Sequence, residues 1–138
     1  MQLPVTLGAA CVLGLAYAAL SIAVGRQRGQ ANVSLGSGGD LTVPIGEEHT
    51  ASPLLLAIRR HGQFAEYVPI SLLLLMLLEV SGANRALLLA LAAALVLSRL
   101  CIVLGLGRKT PNPLRAAGNL LQWSMILVAS AFGLTLVV

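Results

Sequence analysis

At 138 residues, 57% of them hydrophobic and only 10% charged, with a mean hydropathy of +0.89, the chain would expose far too much apolar surface as a water-soluble domain. The formal charge of +4 comes from scattered arginines and not from a basic stripe, so nucleic acid finds no footprint and the charge reads as topology and anionic-headgroup contact. The composition is that of an integral membrane protein.

A hydrocarbon core about 30 Å thick takes roughly 20 helical residues per crossing. Four apolar stretches supply them, over about 3–24, 53–80, 86–106 and 113–138. The runs are continuous and rich in Leu and Ala, which excludes the alternating pattern of membrane strands. Short connections make neighbouring helices antiparallel, so the expectation is one all-α domain, a four-transmembrane-helix bundle.

The first helix carries Ala16-Tyr17-Ala18, which matches a small-residue cleavage pattern, but no Lys or Arg precedes the apolar run and Arg26 and Arg28 follow it. It therefore reads as a retained span. The connection from about Gly25 to Ser52 is turn-rich through Ser34-Leu35-Gly36-Ser37-Gly38-Gly39-Asp40 and acidic at Glu47-Glu48, long enough to fold over something. Ser52 and Pro53 then form a cap and first-turn pair that starts the second helix.

Arg59-Arg60-His61-Gly62-Gln63-Phe64-Ala65-Glu66-Tyr67-Val68-Pro69 runs directly into the apolar segment Ile70 to Leu78 and is the densest polar cluster of the chain. Ionised groups at the edge of hydrocarbon cost several kcal/mol and usually pair, face a bundle interior or line a site. Arg59, Gln63, Glu66 and Ile70 fall on one helical face. Pro69 withholds an N–H from the Ala65 carbonyl. On the antiparallel third helix Arg99 lies at a depth similar to that of Glu66, so the two are expected to form a buried pair. Arg115, Asn119 and Gln122 make a matching stripe on the fourth helix. The opposite half of the bundle is nearly pure hydrocarbon.

Arg26, Arg28, Arg108, Lys109 and Arg115 flank the first and third connections, against Arg85 alone at the second. The first and third connections are therefore expected in the cytoplasm, with both termini outside. Cys11 and Cys101 match no ligand spacing and read as buried, inert thiols. Tyr67 and Trp123 read as interfacial and packing aromatics, and His61 as a solvated neighbour of the cluster. No cluster has metal spacing, and neither a phosphate loop nor a nucleophile triad is present.

The segment 59–69 resembles the signature of the MAPEG family, the membrane-associated proteins in eicosanoid and glutathione metabolism, and specifically its bacterial branch. Arg26-Gln27-Arg28 with Val33-Ser34-Leu35-Gly36 and Gly39-Asp40 resembles the family's first loop, Ser98-Arg99-Leu100 its third-helix motif, and Pro113-Leu114-Arg115-Ala116-Ala117-Gly118 the start of its fourth helix. The resemblance implies a homotrimer in the cell membrane, with glutathione as cofactor bound between subunits near the cytoplasmic end. It implies glutathione transfer to, or peroxidase action on, lipophilic small molecules drawn from membrane lipid. Arg26, Arg28, Arg59, Gln63, Glu66, Tyr67 and Arg99 would bind glutathione, and Arg115 would activate its thiol. The sequence departs from the family pattern at Gln63, where Asn is usual, and at Ile102, where an aromatic or His is frequent.

Glutathione carries two carboxylates and an amine, so arginine forks and a glutamate suit it chemically. Its own sulfur would be the nucleophile. The alternatives are a non-catalytic glutathione- or lipid-binding scaffold of the same fold, a small exporter, and a purely structural bundle. An exporter is expected to carry an acidic residue in its first helix, and this one has none.

Overall fold

The computed structural model describes residues 3–38 and 42–137. Gly39-Asp40 of the first-loop motif and Val138 at the expected end of the fourth helix lie outside the described residues. The chain forms four α-helices, α1 (Pro4–Ala31), α2 (Pro53–Val80), α3 (Arg85–Gly105) and α4 (Pro113–Thr135), with a short 3-10 turn at Glu48–Thr50 in the first connection. All four are long and apolar enough to cross a membrane. The fold is an all-α four-helix bundle.

Local chemistry sets the helix ends. The Ser52 hydroxyl accepts from Leu55 N at 3.1 Å with Pro53 in the first turn, so α2 begins where its cap signal lies. Asn84 caps α3 by accepting from Ala86 N. Asn112 does more: its Oδ1 accepts from Leu114 N and Arg115 N, while its Nδ2 donates to Gly105 O at 2.7 Å. One buried side chain thus starts α4 and ties it to the last turn of α3.

α1 departs from the expectation. It does not end near Val24 but continues through Arg26-Gln27-Arg28 to Ala31, where Asn32 takes a left-handed conformation at φ 51°. Leaving hydrocarbon does not by itself end a helix, and Arg and Gln are good helix formers. At its other end α1 has no cap of its own, since Leu3 carries no acceptor and Pro4 has no N–H. Glu79, in the last turn of α2, supplies the acceptors: Oε1 takes Val5 N at 2.9 Å and Oε2 takes Thr6 N at 2.8 Å.

This is a helix cap delivered from another helix, and it pins the start of α1 to the end of α2. Glu79→Gln is expected to lower stability by about 1–2 kcal/mol, the range for a lost cap or a buried amide left unpaired. Denaturant or thermal unfolding in detergent measures it, and stability equal to wild type would show that the cap contributes nothing.

α2 and α3 each pack against all three other helices, whereas α1 has no contact with α4 among the described residues. The inward faces follow the helical period: Phe64, Val68, Ser71, Leu75 and Leu78 on α2, Leu88, Leu91, Leu95, Ser98 and Ile102 on α3, and Gly118, Gln122, Met125 and Ala129 on α4. α1 buries only Val5, Thr6, Ala9 and Leu13, all near its start, so its second half is largely uncovered. Cys11 and Trp123 are exposed, the first against the expected buried thiol and the second against expected packing, because both fall on outward faces.

Candidate functional site

Two polar assemblies occupy the end of the bundle where α2 and α4 begin and α1 and α3 finish. The first lies between the connections. Glu48 Oε2 accepts from Gly46 N at 3.0 Å and from Thr110 N at 3.2 Å, and Oε1 accepts from the Thr110 hydroxyl at 2.7 Å. The first connection is thereby strapped to the third. The Thr110 hydroxyl, followed by the Glu48 amide and then those of Thr110 and Gly46, holds the Glu48 carboxyl below the ordinary carboxylate range, against a smaller opposing effect of burial. A carboxyl lowered on folding contributes at neutral pH and loses that contribution as pH falls through its folded pKa, so acid weakens the strap, leaving the Gly46 N–H bond to the Thr110 hydroxyl at 3.1 Å.

Under the strap is a cavity of about 360 Å³ lined by residues that include Glu48, Leu55, Arg59, Leu106 and Arg115. Its volume lies near the lower end of small-molecule sites, which run from about 300 to 1,000 Å³. Arg59 is exposed and Arg115 is partly so. Arg115 Nη1 stands 3.9 Å from Glu48 Oε1, the only ion pair among the described residues. That distance is too long for a hydrogen bond, and the carboxylate already takes three shorter donors. Arg115 is therefore held near the cavity without being locked.

The second assembly is buried. Arg99, 4% exposed, donates Nε–H to Ser98 Oγ at 3.2 Å and Nη1–H to the Gln63 carbonyl at 3.2 Å, with its guanidinium carbon 5.2 Å from the centre of the Tyr67 ring. Ring and cation at that separation attract. Gln122 sits beside them, its Nε2 donating to Ser71 Oγ at 2.8 Å and its Oε1 lying 3.1 Å from Ser98 Oγ.

The expected Glu66–Arg99 pair is not formed. Glu66 is exposed and has no partner among the described residues, whereas Arg99 points inward. Matching depth did not imply matching direction, since Glu66 sits two residues from both Phe64 and Val68, on the opposite side of the helix from that buried face. Gln63 contributes its main-chain carbonyl, and Tyr67 lies under Arg99 as a cation partner more than as an interfacial anchor. Arg28 donates to the Ser34 and Gly36 carbonyls and so fastens the first connection to the end of α1, while Arg26 is exposed. Neither lines the cavity. Arg60 donates to Leu106 O at 2.7 Å, and the ring of His61 lies 4.7 Å from that of Tyr17 with its Nε2 buried, so His61 is no solvated neighbour.

Ile102, the departure on α3, is 2% exposed and packs where Gly118 opens a gap in α4. Its position belongs to the helix seam. The residues that sequence reading passed over are Ser71, Glu48, Thr110 and Glu79. Ser71 carried a signal, being a hydroxyl on the buried phase of an apolar run, but Glu48–Thr110 is a contact between distant loops that no local pattern announces.

Among the described residues no group of His, Cys, Asp or Glu could hold a metal ion. The sequence model of the MAPEG family matches residues 6–135, nearly the whole chain. No curated protein and no solved structure matches the chain.

Proposed function

The chain belongs to the MAPEG family, and from that premise we propose that it is a membrane-bound, glutathione-dependent transferase or peroxidase acting on lipophilic electrophiles or lipid hydroperoxides. The observation that carries this reading is a cationic surplus at one end of the bundle. Arg59, Arg99 and Arg115 have between them one carboxylate partner within the protomer, Glu48 of Arg115. Glutathione brings two carboxylates, and a guanidinium binds each through charge-assisted hydrogen bonds that survive at a membrane boundary. Its sulfur supplies the nucleophile.

The same reading makes the working unit a homotrimer with glutathione between adjacent copies. Support comes from Glu66, exposed on α2 just before the apolar segment Ile70 to Leu78, where a carboxylate facing lipid costs several kcal/mol. A second copy and the amine of glutathione would cover it, and Arg26 of the long α1 extension would reach the site from a neighbour, with Arg28 holding the first connection beside it. The basic residues cluster at the cavity end, so that end faces the cytoplasm and both termini face outward. The bilayer then delivers the lipophilic substrate laterally.

Calorimetry with glutathione on the detergent-solubilised protein tests the reading. Arg59→Ala should weaken binding by more than tenfold, about 1.4 kcal/mol, whereas Arg85→Ala at the far end should not. Equal losses would mean general destabilisation, and no binding by wild type would end the proposal. Thiol-dependent turnover of a model electrophile separates the enzyme from a scaffold of the same fold.

A further inference from the structure

Arg99 is placed by a closed circuit of contacts that runs through α2, α3 and α4. Starting at the guanidinium, Nε–H reaches Ser98 Oγ on α3, which stands 3.1 Å from Gln122 Oε1 on α4. Gln122 Nε2 donates to Ser71 Oγ on α2, and Ser71 donates in turn to the Tyr67 carbonyl at 2.8 Å. The Tyr67 ring returns to the guanidinium. Ser71 and Ser98 are fully buried and Gln122 is 1% exposed, so water does not reach the Ser98–Gln122–Ser71 stretch of the circuit.

The Ser98 hydroxyl has one proton and two neighbouring acceptors, Leu95 O at 2.7 Å and Gln122 Oε1 at 3.1 Å. A three-centre bond from that one proton would satisfy both acceptors and leave a lone pair of Ser98 for Arg99. Through its other end Gln122 fixes the turn of α2 that presents both the Gln63 carbonyl and the Tyr67 ring. Two of the five guanidinium N–H groups are thus occupied within the protomer and three remain for a ligand.

We propose that Gln122 is a positioning residue, which through Ser98 on one side and Ser71 on the other holds the Arg99 guanidinium in the orientation that receives an anionic group of the ligand. The proposal rests on the reading of Arg99 as a glutathione contact. Gln122 itself, enclosed between α2 and α3, touches no ligand.

The test is on full-length protein with ¹⁵N-labelled arginine in detergent micelles, the Arg99 Nε–H resonance being assigned by its absence from Arg99→Met. In wild type that proton exchanges slowly with solvent, and in Gln122→Met, which keeps the volume and removes the amide, its exchange should accelerate at least tenfold. Gln122→Met and Arg99→Met should each weaken glutathione binding about tenfold, and the double variant should bind no more weakly than Arg99→Met alone. Retained Nε–H protection in Gln122→Met, or losses that multiply in the double variant, would overturn the proposal. Should Gln122→Met not fold, Ser71→Ala severs the same circuit with a smaller change and carries the same expectations. If Arg99→Met binds glutathione as wild type does, the glutathione reading of Arg99 fails, and Nε–H protection alone decides the positioning claim.

Discussion

Gly105→Ala will separate the last turn of α3 from the first turn of α4 and lower stability by about 1–3 kcal/mol, the range for forcing an extra methyl into a packed contact. A Cβ at this position would lie 2.9 Å from Arg115 N and 3.3 Å from Arg115 Cα. Those are backbone atoms of a helix start and cannot swing aside as a side-chain tip can. The shift would also strain the 2.7 Å bond from Asn112 to the Gly105 carbonyl, the link that sets where α4 begins. Small residues allow such close approach between membrane helices, and here the approach positions Arg115.

Gly25→Ala is the control. Nothing lies within 4 Å of a Cβ added there, and the position is inside α1. Alanine in an unobstructed helical position should be neutral or stabilising, by about 0.4–1 kcal/mol. Denaturant unfolding in one detergent compares the two, and equal stabilities for Gly105→Ala and Gly25→Ala would mean that the α3–α4 contact is not tight.

The contrast between the two glycines marks what could be read in the sequence. Hydropathy alone located four spans, and Ser52-Pro53 placed the start of α2 because capping is local chemistry. The end of α1 was misplaced because the pattern of Arg26 to Ala31 reports polarity, while the helix stops only at the left-handed Asn32. Depth along a span is likewise legible from residue counting, but direction around the helix needs the core face. Phe64, Val68, Ser71 and Leu75 define that face on α2, and once it is drawn Glu66 cannot meet Arg99 in the same protomer. Glu79 on the α1 amides and Glu48 on Thr110 join positions far apart in sequence, so only the assembled bundle reveals them.

Arg115→Leu will remove the thiolate of bound glutathione near neutral pH while leaving glutathione affinity within a few-fold. A cysteine-like thiol with a pKa of about 8.5 is only about 3% ionised at pH 7. A cation beside the sulfur that lowers the pKa by about one unit supplies about 1.36 kcal/mol and raises the reactive fraction to roughly a quarter. Arg115 meets the requirements for that cation. It lines the same cavity as Arg59, its helix start is fixed by Asn112 and Gly105, and it is 3.9 Å from a carboxylate already bonded to Thr110 and Gly46. Among the described residues its guanidinium donates no hydrogen bond, so its N–H groups are available to the sulfur. Arg108, exposed in the third connection, lines no part of that cavity and serves as the comparison. The ultraviolet thiolate band of glutathione bound to wild type, Arg115→Leu and Arg108→Leu measures the effect. The band should vanish only in Arg115→Leu, together with at least a tenfold drop in turnover, and its persistence there would transfer the role to another cation.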